Sequence, residues 1–362
     1  MLLAARPHRN RGFRPELVAL EGRALLSASR TRLASVPGHV QAEATRTPAV
    51  SITPIAGTTS LGRVGGYKFF NFDGPTSGTN AGTGTNININ GIANNGVTVG
   101  YTIGNNGAYG NFTARPRYSR AATPLTISGA ITAAAFGINS SGRVVGSDGN
   151  GNAFTLSRRG ALRTFLPTGA SSATAFGIND RGTIVGQETS GAVAASFLRV
   201  PGRNAQTPPR DILVTGPGGL IMANLQGINN HGLAVGFYSG GGATHGLIVN
   251  QSAAVNGAIS GTAVADPTIP ARAGEPGALF VFSQILGIND RGIAVGYYGD
   301  STGSQHGFLY NTKTGQYTFL DDPSAAFNNG VEATQITGIT NSGEISGFYS
   351  DAAGVFHGFV AL

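Results

Sequence analysis

The chain has no cysteine and no tryptophan, and only two methionines in 362 residues. Without thiols there is no disulfide framework and no Cys-ligated metal, and a chain of this length buries enough surface to need no staples. Charge is also scarce. Asp, Glu, Lys and Arg make up 11% of residues, against about a quarter in ordinary globular proteins. Surface polarity must therefore come from Asn, Ser, Thr, Gln and the backbone. What charge there is sits unevenly: residues 1–46 carry eight Arg and three Glu, while the rest carries 16 basic and 14 acidic side chains. The net charge of +7 thus belongs mostly to the first segment. The near-neutral remainder lacks the clustered Lys and Arg of a nucleic-acid surface. No run reaches the roughly 18 apolar residues of a membrane span.

Glycine is what the chain has in excess, 57 residues beside 17 prolines, without the triplet period of collagen. With Thr, Val, Ile and Phe plentiful and helix formers sparse beyond residue 45, this composition predicts short strands and tight turns.

A fixed-period repeat organises those strands. The pattern G-I-N-x-x-G-x-x-V-G begins at Gly91, Gly137, Gly177, Gly227, Gly287 and Gly338, with intervals of 46, 40, 50, 60 and 51 residues. Self-similarity at such a period signals a propeller, a solenoid or an array. Asn, two polar residues and Gly form a type I turn whose last position needs positive φ, flanked by apolar runs: a hairpin with a bulge-type loop. The final Gly of each anchor marks a tight bend or a close backbone approach. A Gly-aromatic segment follows, then a polar turn, then a third strand opening on His245-Gly246-Leu247, His306-Gly307-Phe308 or His357-Gly358-Phe359. In the first three units that strand opens on Asn111-Phe112, Ala153-Phe154 and Ser196-Phe197. A fourth strand ends near Asp and Pro, as at residues 67–75 and 317–323.

Four short antiparallel strands per unit predict an all-β, six-bladed β-propeller. A β-solenoid is the alternative, though it prefers shorter and more uniform rungs. The last unit lacks a fourth strand, and residues 67–73 form a strand without a unit of its own. The expectation is that 67–73 completes the blade of 357–362 and closes the ring, covering an edge. The domain reading is a basic leader over 1–46, a linker over 47–66 and the repeat over 67–362.

Two resemblances add to this. The pattern F-x-x-[FL]-D-x-P, then G-I-N-x-x-G-x-I-V-G-x-Y, then H-G-F resembles the HAF-type probable extracellular repeat over residues 67–362, with the second and third copies lacking the Tyr and the His. Arg14-Pro15, Leu17, Leu20-Glu21, Arg23 and Leu25-Leu26-Ser27 resemble the R-P-x-L-x-x-L-E-x-R-x-L-L-S segment of large bacterial surface proteins. An ordinary signal peptide is not readable, because Glu21 and Arg23 stop the run 17–20. The resemblances imply an extracellular or cell-surface propeller-like protein and assign no catalytic residue.

Candidate chemistry is thin. His245, His306 and His357 recur at one position and could bind a metal. Three units carry no His there, however, and no carboxylate recurs beside it in sequence, so a His bonded within its own blade is the simpler reading. Asp148, Asn150 and Asn152 copy the opening of a calcium loop, but Ala153 and Arg159 stand where Gly and Glu would be, so a polar turn is favoured. The aromatics after the anchors (Tyr101, Phe237, Tyr238, Tyr297, Tyr298, Phe348, Tyr349) alternate faces. Outward members sharing one face would form a platform for sugars or peptides. Tyr238, Tyr298, Tyr349, His245, His306 and His357 are the ligand-binding candidates, and sequence places no catalytic, cofactor or metal residue.

The longest inserts, 201–223 and 251–277, are where loops on a rigid scaffold would bind. The functional expectation is an exported, monomeric, non-catalytic scaffold for a carbohydrate or protein ligand, with no nucleic-acid partner. A carbohydrate-active hydrolase or lyase with an axial pocket, or a structural surface component, are the alternatives.

Overall fold

The computed structural model describes Val50–Ser51, Thr53–Pro54, residues 65–75 and residues 86–362 apart from 105, 120, 192, 205, 220–222 and 273. The leader expected over 1–46 lies outside the described residues. So does most of 47–66, from which the two-residue strands Val50–Ser51 and Thr53–Pro54 pair with Ala121–Pro124 and Phe69–Asp73.

Six small sheets form a ring, giving a six-bladed β-propeller with one anchor per blade. Blade 1 holds Ile87–Ile92, Thr98–Ile103, Tyr109–Ala114 and Ala121–Pro124; blade 2 holds Ala134–Ile138, Val144–Ser147, Ala153–Leu156 and Leu162–Phe165. Blade 3 holds Ser172–Ile178, Ile184–Ser190, Val193–Val200 and Arg210–Thr215; blade 4 holds Ala223–Ile228, Leu233–Gly240, Ala243–Asn250 and Thr262–Ala263. Blade 5 holds Phe280–Ile288, Ile293–Asp300, Gln305–Asn311 and Gln316–Phe319. Blade 6 takes Thr334–Ile339, Ile345–Ser350 and Phe356–Ala361 from the end of the chain and its fourth strand, Phe69–Asp73, from near the beginning.

That last pairing is the closure the sequence predicts. Gly358 faces Phe72, Phe359 faces Asn71 and Ala361 faces Phe69, with Lys68 N donating to Leu362 O at 2.8 Å. The inserts are not free loops. Residues 201–223 contain the fourth strand of blade 3, and 251–277 contain Ala258–Ser260, which joins that strand in parallel, and then the short outer strand of blade 4.

The anchor does what its chemistry requires. Gly142 N donates to Asn139 O at 2.9 Å, and Gly142 and Gly182 have φ of +78° and +83°. A bulge falls one residue before the first Gly of each anchor, as between Ala135 and Gly137. Those first glycines then touch round the ring: a Cβ on Gly137, Gly177 or Gly287 would stand 3.1 Å from the Cα of Gly177, Gly227 or Gly338 respectively. The final glycines lie against backbone, so that a Cβ on Gly146 would strike Ala134 O.

Six apolar clusters fill the six junctions between blades. Phe197 packs between blades 2 and 3, Leu225 between 3 and 4, Phe308 between 4 and 5, Phe359 between 5 and 6, Phe154 between 1 and 2, and Phe72 carries the seam between 6 and 1. Because each sheet is covered on both faces by its neighbours, the innermost strand of every blade is buried along most of its length. Outermost strands such as Leu162–Phe165 and Gln316–Phe319 hold no buried residue.

Candidate functional site

The anchor turns gather at one end of the ring. Asn139 Nδ2 donates to Asn179 O (3.1 Å), Asn179 to Asn229 O (2.9 Å), Asn229 to Asn289 O (3.1 Å) and Asn289 to Thr340 O (3.0 Å). One residue on runs a second ring: Ser140 N donates to Asp180 Oδ1 (2.7 Å), Asp180 N to Asn230 Oδ1 (2.9 Å), Asn230 N to Asp290 Oδ1 (2.7 Å) and Asp290 N to Asn341 Oδ1 (2.8 Å). Burial pushes Asp180 up, but hydrogen bonds from Ser140, Asn94 and Asn230 outweigh it and hold the carboxyl below its usual range. Asp290 is held low in the same way, against burial, by Asn230 and Asn341. The depression these turns enclose measures about 60 Å³, well below the ~300 Å³ of ordinary ligand pockets. Its two carboxylates are spent on neighbouring backbone and amide donors.

Larger clefts open between blades at the same end. One, of about 840 Å³, lies on the closure seam and is lined by Tyr67, Asn94, Asn95, Arg117, Tyr118 and Glu344 among others. Tyr118 is 60% exposed. The Arg117 guanidinium sits 4.9 Å from its ring centroid and donates to its hydroxyl at 2.9 Å. Burial pushes Glu344 up, and Arg117 partly opposes that. The second cleft, about 530 Å³, lies between blades 3 and 4, where Pro201 and Arg210 of one insert meet Gln251 of the other beside Arg181 and His231.

The six residues singled out by the repeat lie at the opposite end of the blades, beside the hairpins joining second and third strands. Tyr238 faces His245, Tyr298 faces His306 and Tyr349 faces His357 across the strands, with ring centroids 5.5, 5.1 and 5.3 Å apart. A carboxylate does recur beside each His, contrary to the reading of the sequence. His245 Nδ1 meets Asp266 at 2.9 Å, His306 Nδ1 meets Asp321 at 3.0 Å, and His357 Nδ1 meets Asp73 at 2.7 Å. The recurrence was hidden because the Asp sits at the end of the fourth strand or two to three residues past it, and in blade 6 that strand comes from the other end of the chain. Each trio stays within its own blade. Tyr298 and Tyr349 are buried and their phenols pushed up to about 12, mainly by burial, whereas Tyr238, His245 and His357 keep exposed edges.

Asp148 spends its carboxylate on its own turn. Oδ1 accepts from the amides of Asn150 (2.8 Å) and Asn152 (3.0 Å), and Oδ2 from Asn152 Nδ2 (2.8 Å).

His306 in blade 5 gathers more carboxylates than His245 or His357. His306, 0% exposed, has Glu275 Oε2 at 3.2 Å and Asp300 Oδ2 at 3.7 Å from Nε2, and Glu332 Oε1 at 3.7 Å from Nδ1. Arg272 pairs with Asp321 and donates through Nε to the Tyr298 hydroxyl at 3.2 Å. Burial pushes His306 down, but Asp300 and Asp321 overcome it and raise the imidazole to about 9. Glu275 is 2% exposed, and neither of its oxygens has a hydrogen-bond partner. Sequence reasoning missed Glu275, Arg272 and Glu332, because nothing in the repeat marks them. The one signal was that 272 and 275 fall in the longest insert.

Fold and surface together define a closed six-bladed β-propeller with a filled axis and open clefts between blades. No protein-family model and no curated protein matches the sequence. Among solved structures, an oligogalacturonate lyase in complex with manganese is similar over 88% of this chain and 98% of its own, at 10% identity and a TM-score of 0.45. A subtype N11 neuraminidase-like protein of a flat-faced bat isolate is similar over 88% and 95%, at 11% identity and a TM-score of 0.38. A puromycin hydrolase is similar over 75% of this chain at 12% identity and a TM-score of 0.41, and this chain spans 46% of its length. The blade count rests on the strand pairing alone. Among the described residues no helix is long and apolar enough to cross a membrane.

Proposed function

We propose that the chain is an exported, non-catalytic scaffold of the HAF-repeat type that binds a glycan at the cell surface or outside the cell, through the cleft on its closure seam. The observation that carries this reading is the cleft itself: about 840 Å³, with an exposed Tyr118 ring beside Arg117, Asn94, Asn95 and Glu344. An apolar ring face bordered by hydrogen-bonding side chains suits a sugar, which presents C–H faces and hydroxyl rims. Of the six residues the repeat singles out, Tyr238, His245 and His357 are partly exposed, but at the opposite end of the blades from this cleft.

One observation favours the enzymatic alternative. Glu344, raised by burial in a polar cleft, is what a general acid needs. Glycoside hydrolysis generally asks for a second carboxylate about 5–9.5 Å away, and Glu344 is the one acidic side chain lining this cleft among the described residues. Binding is therefore the reading kept. The test is a glycan and polysaccharide binding screen of the full chain, with a turnover assay on every ligand found. Tyr118→Ala and Arg117→Ala should each weaken binding about tenfold or more. Unchanged affinity in both variants, or accumulation of product lost on Glu344→Gln, overturns the proposal.

A further inference from the structure

We propose that Glu275, His306 and Glu332 bind one divalent transition-metal cation, pinning the insert before blade 5 to that blade and to the connection leading into blade 6. Each residue presents one ligand atom, and the three atoms lie within 4.8 Å of one another. An ion with ligand distances of about 2.0–2.2 Å gathers that spread once the half-buried Glu332 carboxylate, 3.7 Å from His306 Nδ1, swings toward Nε2.

Three further features point the same way. Glu275 is a carboxylate removed from water with no hydrogen bond to either oxygen, and the imidazole nitrogen facing it at 3.2 Å, His306 Nε2, also lacks a hydrogen-bond partner. Buried charge without such partners is expensive, and coordination is a common way to satisfy it. The local charge is also unbalanced. Glu275, Asp300, Asp321 and Glu332 surround His306 and Arg272, so even an imidazolium leaves two negative charges uncompensated. A dication that displaces the imidazole proton leaves one. Finally, His306 Nδ1 is engaged by Asp321, which Arg272 holds in turn. A carboxylate on one ring nitrogen orients the other toward a metal and raises its basicity.

One imidazole with two carboxylates is a donor set for Zn²⁺ or Mn²⁺ rather than for Ca²⁺, which prefers an all-oxygen shell. Beyond the Tyr and the Asp, His357 has one further carboxylate, Asp351 at 3.2 Å from Nε2, and His245 has none among the described residues, so neither has this ring. The insert that supplies Glu275 and Arg272 is particular to blade 5, which confines the site to it.

The metal-stripped full chain, titrated separately with Zn²⁺, Mn²⁺ and Ca²⁺ by equilibrium dialysis and thermal unfolding, tests this. One equivalent of Zn²⁺ or Mn²⁺ should bind and raise Tm, with EDTA reversing both and Ca²⁺ binding more weakly. Glu275→Gln and Glu332→Gln should each weaken binding at least about tenfold, while Asp148→Asn, in a separate turn, should bind as the parent does. Glu332 is only partly buried, so its variant keeps the fold and decides the matter even if Glu275→Gln does not. Absence of saturable binding by the parent chain, or parent-like binding by Glu332→Gln, overturns the proposal. Neither outcome bears on the seam cleft, which lies at the other end of the blades.

Discussion

At the scale of single residues, the glycines of the anchor have two different tasks. Gly142, with φ of +78°, supplies a left-handed turn position, and the atom nearest a Cβ there is 3.5 Å away on Arg158. An alanine at that position bears the cost of the left-handed backbone, about 1–2 kcal/mol. Gly146 has ordinary backbone but lies against Ala134 O and the ring of Phe154, so a methyl group there must move a strand. Gly146→Ala is expected to cost more than Gly142→Ala, at or above the upper end of the roughly 1–3 kcal/mol of overpacked cores. Urea unfolding of the two variants checks the order, and equal costs would mean that the strands yield. The sequence announces both glycines, but only the neighbouring strand tells them apart.

At the scale of the element, the third strand shows why His-Gly-aromatic recurs and how it erodes. A Cβ on Gly246, Gly307 or Gly358 would press on Ile285, Ile336 or Ile89 of the following blade, so the glycine is a point of close approach. In two of the three units without it polar side chains take over, and in blade 2 the buried Ala153 fills the place. Ser196 Oγ donates to Ala223 O at 2.8 Å and accepts from Leu225 N at 2.9 Å, and Asn111 bridges Ala133 O and Ala135 N.

The His carries its own consequence in blade 6. Burial lowers the His357 pKa, but Asp73 and Asp351 outweigh it, so the folded pKa lies above 6.5. A raised folded pKa gives stability that is complete below about 6.5 and is lost as pH rises through the folded value. The denaturant midpoint of the parent chain should therefore exceed that of Asp73→Asn most near pH 6, and the gap should narrow at higher pH. A gap constant from pH 6 to 9 would show that the pair contributes no ionic stabilisation.

At the scale of the whole molecule, the ring stands or falls at the seam. Phe69 on the returning strand and Phe359 on the last strand are both fully buried, their rings 5.2 Å apart. Phe69→Ala and Phe359→Ala should each cost about 3–5 kcal/mol, and together less than the sum by about 0.5–1.5 kcal/mol, the usual coupling of an aromatic pair. Strict additivity in a double-mutant cycle would mean that the two strands do not stabilise each other across the seam. Because closure joins segments far apart in the chain, weakening it should also expose sheet edges and promote association.

The sequence by itself determined the blades. A period of 40 to 60 residues, an Asn-to-Gly turn and alternating apolar strands are local features, and local chemistry fixes hairpins, bulges and their number. Even the seam was legible, since a strand without a unit implies a unit without a strand. The tertiary structure alone decided what the blades bring together. Asp73 and His357 are remote in the chain yet bonded, Glu275 reaches His306 only because an insert folds over blade 5, and the axial carboxylates become spent through hydrogen bonds between blades. Repetition records what every blade must do to pack. A site that occurs once leaves no period to read, and it becomes visible only when distant residues share a place.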